Sequence, residues 1–348
     1  MKRFNMEVKS PVTLDHIARH VGVSRTLVSL ALRNSPRVAA SSRQAIQKAA
    51  DELGYRPNLL ARHLASPSTQ TVGVILTELH NPIFADVYHE ISNTAATLGY
   101  RTLLAEGSVD ARREEESVES LIDFRVDALV LLGTSLPPAA TRALAARIPV
   151  VVVGRRPTGV DAVFIDDRGG ARLAVEHLLR LGHARIAHID GGRGPGASLR
   201  RATYVELMRS HQLASQVRTA RGDYTEPGGE VAAEKLLRGR SRPTAIFAAN
   251  DLTAIGAMAV ARRLGIAVPD ELSIVGFDDT WVASCGVVSL TTIEQPRQAM
   301  GAAAMELLAR RLKEPDAPTR HRIIESRLVE RETSAAPRQR RTPSLHRK

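Results

Sequence analysis

TLDHIARHVGVSRTLVSLAL, residues 13–32, decides how this chain begins. Leu14, Ile17, Ala18 and Val21 recur at i, i+3, i+4 and i+7, the spacing of a helix with one apolar face. Thr13 is placed to cap that helix, and Gly22 supplies the turn after it, since a residue without Cβ takes positive φ freely. Ser24 caps a second helix running to about Leu32. A third, capped by Ser41 or Ser42, runs through Ile46, Ala49 and Ala50 to Leu53 and stops at Gly54. Two short helices joined by a Gly-containing turn, with small Ala18 where they cross, form a helix-turn-helix. The second helix of such a pair enters the DNA major groove. With Val28 and Leu32 inward, Arg25, Thr26 and Ser29 face outward and Leu27 stands beside them. Arg suits bidentate contact with guanine, and Thr and Ser bond bases or phosphates. The alternative is a helical hairpin whose polar face is merely solvated.

The charge distribution favours the first reading. The chain has 348 residues and a formal net charge of +11. Residues 1–68 hold 11 basic and 4 acidic side chains, a net +7. Residues 334–348 hold 5 basic and no acidic ones, while the 265 residues between carry 32 basic against 33 acidic, a net −1. A basic front on a neutral body is the footprint of a nucleic-acid-binding module. The end of the chain, with Pro337 and Pro343 and no apolar period, reads as a disordered basic tail.

Composition closes off other classes. Hydrophobic residues at 43% exclude wholesale disorder, and aromatics at 3% leave the core to Ala, Val, Leu and Ile. A single cysteine, Cys285, excludes an intrachain disulfide framework and any multi-cysteine metal site. Residues 1–10 are polar, so no signal peptide is expected. The apolar runs at 128–132 and 150–153 are too short to span a bilayer, and a cytoplasmic protein is expected.

From Thr71 the pattern becomes a β/α alternation. Strands are expected at 72–76, 101–105, 128–132 and 149–153, with helices at 84–98, 114–124 and 138–146 between them. A second run places helices at 169–181, 199–211, 229–237 and 251–264, and strands at 186–189, 245–248 and 273–276. Such alternation gives parallel sheets covered by helices. Two such units imply two subdomains facing across a cleft, with small ligands bound at the carboxyl ends of the strands. The Gly-rich stretch 191–196 lacks the G-x-G-x-x-G spacing of a dinucleotide site and reads better as a loop flanking that cleft. There is no Walker A stretch, G-x-S-x-G elbow or H-E-x-x-H pair, so no enzymatic activity, metal or cofactor is expected. His177 and His183 are expected to pack or cap.

Particular residues carry a family resemblance. Thr13-Leu14 with Ile17-Ala18, Gly22-Val23-Ser24, Val28-Ser29 and Gly54-Tyr55-Arg56-Pro57-Asn58 through Ala61-Arg62 to Leu64-Ala65 resemble the lactose-repressor (LacI) family of bacterial transcriptional regulators. So do His80-Asn81-Pro82-Ile83-Phe84-Ala85, Phe247-Ala248-Ala249-Asn250-Asp251 and Val275-Gly276-Phe277-Asp278-Asp279 in the body. The resemblance covers roughly residues 12–332. It implies an α plus α/β fold: a three-helix helix-turn-helix domain with a hinge helix, then two doubly wound subdomains like those of periplasmic sugar-binding proteins. The implied boundaries are an N-terminal extension at 1–10, the helix-turn-helix domain at 11–57 and the hinge and linker at 58–69. The ligand-binding and dimerisation domain spans 70–333, and the tail 334–348. Within that domain the first subdomain takes about 70–167 and 293–319, and the second about 168–292 and 320–333. The third crossing between them is placed after residues 290–293.

The resemblance also implies residue roles. The DNA-contacting set is Thr13, Ser24, Arg25, Thr26, Leu27, Ser29, Asn34, Tyr55, Asn58, Ala61 and Leu64. Leu64 would wedge into the minor groove at the operator centre, as an apolar side chain can when it prises a base step apart. The family's recognition helix reads Ser-x-x-Thr-Val-Ser-Arg, whereas Leu27 and Leu30 stand at the Thr and Arg positions here. That favours contact with a thymine methyl over polar base contacts. For the effector, Arg200 matches the Arg of an Arg-x-x-Gly-Tyr stretch, with Thr203 replacing Gly before Tyr204. Asn250 and Asp278 follow strands where short polar side chains reach sugar hydroxyls, and their alternative is capping the next helix or turn. Phe84 and Tyr224 match positions where an aromatic packs on the ligand, with core packing the alternative for Phe84. Glu106 faces the cleft by alignment. The partners implied are near-palindromic double-stranded operator DNA, a sugar-like small-molecule effector and a second copy of the chain. The function expected is an effector-controlled transcriptional repressor; the rival is a solute-binding module related to periplasmic sugar receptors.

Overall fold

The computed structural model describes residues 12–55, 68–239, 241–286 and 288–338. Contacts divide the chain after Thr69 into two units. In the first, α1 (Leu14–Val21), α2 (Arg25–Leu32) and α3 (Ala40–Glu52) enclose Ile17, Val28 and Ile46, each fully buried. Burying such a side chain contributes roughly 1.5–3 kcal/mol relative to leaving it exposed. Gly22 takes φ 74° between α1 and α2, and the Ser24 hydroxyl accepts from the Leu27 N–H at 3.2 Å. The third helix starts at Ala40, ahead of the expected Ser41 or Ser42 cap, and no side chain caps it. Arg43 instead reaches back to the carbonyls of Ser35 and Val38 at 2.8 and 3.2 Å, tying down the preceding loop.

In the second unit β1 (Thr71–Leu76), α4 (Pro82–Thr97), β2 (Arg101–Glu106), α5 (Ala111–Asp123), β3 (Ala128–Leu132), α6 (Pro138–Ala145), β4 (Val150–Val153) and β5 (Asp161–Ile165) follow in order. Near-continuous Val, Ile and Leu in β1, β3 and β4 mark strands covered on both faces. They lie in a parallel six-stranded sheet, in which Val74 pairs with Leu104 on one side and Val130 on the other. The chain then builds α7 (Asp167–Arg180), β6 (Ile186–Asp190), α8 (Ala197–Ser210), β7 (Arg218–Arg221), α9 (Glu226–Leu237), β8 (Ala245–Ala248), α10 (Asp251–Arg263) and β9 (Ser273–Val275). Their strands form a second parallel sheet in the order β7-β6-β8-β9. On its outer side α9 and α10 touch backbone to backbone: a Cβ on Gly256 would meet the Glu226 carbonyl at 2.2 Å.

β10 (Thr292–Glu294), α11 (Arg297–Lys313), β11 (His321–Ile324) and β12 (Arg327–Val329) complete the fold. α11 packs on α4 and on strands of the first sheet. Here two boundaries change. β11 pairs with β5, His321 beside Ala162, so it belongs to the first sheet rather than to a second-subdomain segment at 320–333. The passage after Ile293 is therefore the second crossing, and the third lies between β11 and β12. β10 and β12 pair antiparallel between the sheets. Edge strands β7 and β11 are mostly exposed, so no apolar pattern marked them in the sequence.

The expected tail boundary at 334 also moves. Ser334 bonds His177 Nε2 at 2.9 Å, and the Ala335 carbonyl lies 2.9 Å from His183 Nε2. The Ala335 N–H donates to the Ser273 hydroxyl at 3.0 Å, and Arg338 pairs with Asp270 at 2.6 Å. Residues 334–338 are thus part of the folded body, and 339–348 lie outside the described residues. Among the described residues no helix is long and apolar enough to cross a membrane.

Candidate DNA-reading helix and effector cleft

On α2, Arg25 and Thr26 are exposed, as their periodicity predicts, whereas Ser29 is half-buried rather than fully outward. Leu27 and Leu30 pack partly against the three-helix core, which gives the leucines at these positions a structural role. Arg25 lies 3.8 Å from Asp15, both exposed, an ion pair too solvated to lock the side chain. Asn34 is exposed and takes φ 55°, the left-handed turn that ends α2. The Thr13 N–H donates to His16 Nδ1 at 3.3 Å. Tyr55 packs against the same core. Asn58, Ala61 and Leu64 lie outside the described residues.

In the second unit a cavity of about 1460 Å³ opens between the two sheets at the carboxyl ends of their strands. Thr77, Gly133 and Arg155 line it from the first subdomain, and the loop at 191–195, Tyr224 and Asp278 from the second. The Gly-rich stretch therefore flanks the cleft as expected. It also seats Tyr224: a Cβ on Gly191 or Gly194 would fall 2.2 or 2.3 Å from its ring. The Tyr224 hydroxyl donates to the Pro195 carbonyl at 2.5 Å, and burial pushes its pKa up to about 12. Phe84, half-buried on α4, reaches the cavity from the other side and rests on Gly133, which takes φ 77°.

Arg200, on α8, is the most constrained of the expected contacts. Its Nε donates to Asp167 at 2.8 Å, its Nη1 to the Ala249 carbonyl at 2.5 Å, and its guanidinium lies 3.6 Å from the Phe277 ring centroid. A buried guanidinium held by a carboxylate and an aromatic face presents its remaining donors in one orientation. Asp278 lines the cavity beside it, accepting from Gln295 Nε2 at 2.5 Å. Burial pushes the Asp278 carboxyl up to about 7, against the opposing charge of Arg200. Behind it, Asp251 accepts from the Thr292 hydroxyl at 2.6 Å and the Thr280 N–H at 2.9 Å. Burial, and then the charge of Asp278, raise the Asp251 carboxyl well above its usual range.

Two expected contacts fall elsewhere. Asn250 does not line the cavity: its Oδ1 caps α10 by accepting from the Thr253 N–H at 3.0 Å, and its Nδ2 donates to the Tyr224 carbonyl at 3.0 Å. It positions Tyr224 from behind. Glu106 ends the edge strand β2, is exposed, and is likewise absent from the cavity wall. Among the wall residues that were not expected are Asp167, Gln295 and Arg155. Arg155 carried a readable signal, a polar side chain two positions beyond a buried run of valines, where such sheets place ligand contacts.

Known proteins share this combination of parts. Residues 13–58 match the bacterial regulatory proteins, lacI family, and residues 175–334 match a periplasmic binding protein-like domain. The HTH-type transcriptional regulator GalR of Salmonella typhimurium is 35% identical over 332 residues, 93% of this chain and 96% of its own. The crystal structure of the lac repressor dimer bound to operator and the anti-inducer ONPF superposes with a TM-score of 0.84 at 28% identity, covering 94% of this chain and 100% of that one. A transcriptional regulator CelR–cellobiose complex reaches a TM-score of 0.69 at 29% identity, covering 93% and 100%. With its helix-turn-helix head and its two-sheet cleft, the chain belongs to the lacI family of bacterial regulatory proteins.

Proposed function

We propose that the chain represses transcription as a homodimer on near-palindromic operator DNA in the cytoplasm, with operator affinity set by a sugar-like effector in the cleft. The observation that carries this reading is the cleft itself: Arg200 is fixed at its wall by Asp167 and Phe277, with Asp278 and two aromatics, Phe84 and Tyr224, around the same cavity. Aromatic walls with a few oriented polar groups suit a hydroxyl-rich ring. A lac repressor dimer bound to operator and a CelR–cellobiose complex among the relatives support the same partners.

The DNA end works through α2. Arg25 and Thr26 read base edges, Ser24 and Ser29 contribute near the backbone, and two half-sites read together supply the affinity one module lacks. The link to the effector is the sequence at 59–65, outside the described residues, whose Leu64 would wedge into the minor groove. Effector in the cleft changes the angle between the two subdomains, and the response is only as large as its differential affinity for the two states.

A thermal-shift series with D-galactose, D-ribose and cellobiose on the full chain tests the cleft, because a ligand that binds only the folded state raises the melting temperature. A rise with any of them that Arg200→Ala abolishes supports the reading. Chemical turnover of a bound sugar would replace it with an enzymatic one.

A further inference from the structure

The first-subdomain wall of the cleft holds a cation with no hydrogen bond or ion pair among the described residues. Arg155 follows β4 and lines the cavity, and its Nε is shut off from solvent with no hydrogen-bond partner. Leaving a buried donor unmade is costly unless something outside the chain completes it. The nearest compensating charge is Glu114, fully buried on α5. Glu114 spends Oε2 on the Ser135 N–H at 2.7 Å, while its Oε1 has no partner, so the two side chains do not bond each other. Burial pushes the Arg155 guanidinium down from its usual range and Glu114 up from its own, each opposed by the other's charge.

Along the wall as a whole five basic side chains, Arg155 among them, face five acidic ones. Its acids are largely engaged by the protein: Asp167 by Arg200, Glu78 by the His80 N–H at 3.0 Å, Asp223 by the Thr225 hydroxyl at 2.6 Å, and Asp278 by Gln295. Glu226 alone of the lining acids has no side-chain bond among the described residues, and it is exposed. Arg193, Arg221 and Lys235 also line the cavity, and none makes an ion pair within the described residues. Counted whole, the wall is balanced in charge, and Arg155 is set apart by having no bond to any of these acids.

We propose that the effector carries an anionic group, a carboxylate or a phosphate ester, that seats on Arg155. The guanidinium fork takes either oxyanion in a two-bond arrangement. This rests on the cleft being the effector site, and it narrows the effector from sugars in general to acidic or phosphorylated ones.

The test is isothermal titration of the full chain with D-glucose, D-glucose 6-phosphate and D-glucuronate, and with D-galactose and its two corresponding anionic forms. At least one anionic form is expected to bind about tenfold or more tightly than its neutral parent, the scale of one charge-assisted bond. Whether phosphate or carboxylate shows the gain identifies the oxyanion. Arg155→Gln, checked by circular dichroism for an intact fold, is expected to erase that difference, and Arg155→Lys to restore part of it through charge without the fork. A neutral sugar that binds as tightly as its anionic forms, or an anionic form whose affinity survives Arg155→Gln, overturns the assignment while leaving the cleft as an effector site. Failure of every sugar, neutral and anionic, overturns both.

Discussion

Asp167 and Arg200 form an ion pair at the entrance to the second subdomain, Nε to Oδ1 at 2.8 Å, with both side chains under a tenth exposed. Asp167 opens α7 directly after the first crossing, and its carboxylate also lies over Gly196, the residue that caps α8. A Cβ on Gly196 would meet that carboxylate at 2.2 Å. The acid thus sits at the positive end of α8 while holding the arginine that α8 presents to the cleft. Crossing segment, helix and ligand contact are one connected piece.

Removing one partner of this pair leaves the other buried without compensation. Arg200→Ala is expected to destabilise the second unit by about 3–5 kcal/mol. Urea unfolding checks this. The double variant Asp167→Ala with Arg200→Ala is expected to recover part of the loss, because no orphaned charge then remains. A double variant worse than the sum of the two singles would contradict the pairing.

Tyr224 depends on the absence of side chains beneath it. Gly194→Ala places a methyl group 2.3 Å from its ring, so the ring must move out and the cleft must change shape. The expected result is loss of sugar binding by calorimetry, with the helix-turn-helix head still binding DNA. Tyr224→Phe removes only the bond to Pro195 and should cost about 0.5–1.5 kcal/mol of stability.

The buried Asp278 carboxyl makes stability depend on pH. Its folded pKa is raised to about 7, so between the ordinary carboxylate range and that value the folded chain holds a proton the unfolded chain has released. Its contribution is present at low pH and is lost as pH rises through about 7. His188, lowered by burial to about 4, acts oppositely, its contribution fading as pH falls through about 6.5 toward that value. Melting temperature measured against pH for the parent and Asp278→Asn reads the first effect, together with the part of the Asp251 shift that the Asp278 charge causes. The parent should fall relative to the variant from about pH 5 to pH 8. Parallel curves would show that Asp278 titrates normally.

On the DNA end, Ser24→Ala removes the cap of α2 and should cost about 0.5–2 kcal/mol of head stability. Arg25→Ala should leave the fold intact, because its ion pair with Asp15 is exposed. It is expected to weaken the preferred duplex by about 1–3 kcal/mol relative to a scrambled one, read by fluorescence anisotropy. Equal weakening of both duplexes would place Arg25 on phosphates instead.

Much of this architecture is visible in the sequence because its signals are local. Leu14, Ile17, Ala18 and Val21 mark α1 by period, and the buried aliphatic runs mark β3 and β4. β7 and β11 leave no such trace, since nearly every residue in them is exposed and neither face needs apolar side chains. The cavity wall was legible where a side chain follows a strand, as with Asp278. It was misread where capping competes with ligand contact, as with Asn250, whose helix-capping alternative is the one the structure bears out. Asp167 and Gln295 reach the cleft only through the crossings, a relationship that spans more than a hundred residues and has no local signature.

The central claim is that the cleft controls the DNA-reading end, and one titration tests it. A duplex selected from random sequence by the full chain is bound in the absence and presence of the sugar that most raises the melting temperature. Operator affinity is predicted to change by about fivefold or more, the lower range of coupling between linked sites. Arg200→Ala should bind the same duplex with no response to the sugar. A sugar that occupies the cleft of the parent yet leaves operator affinity unchanged would contradict the account.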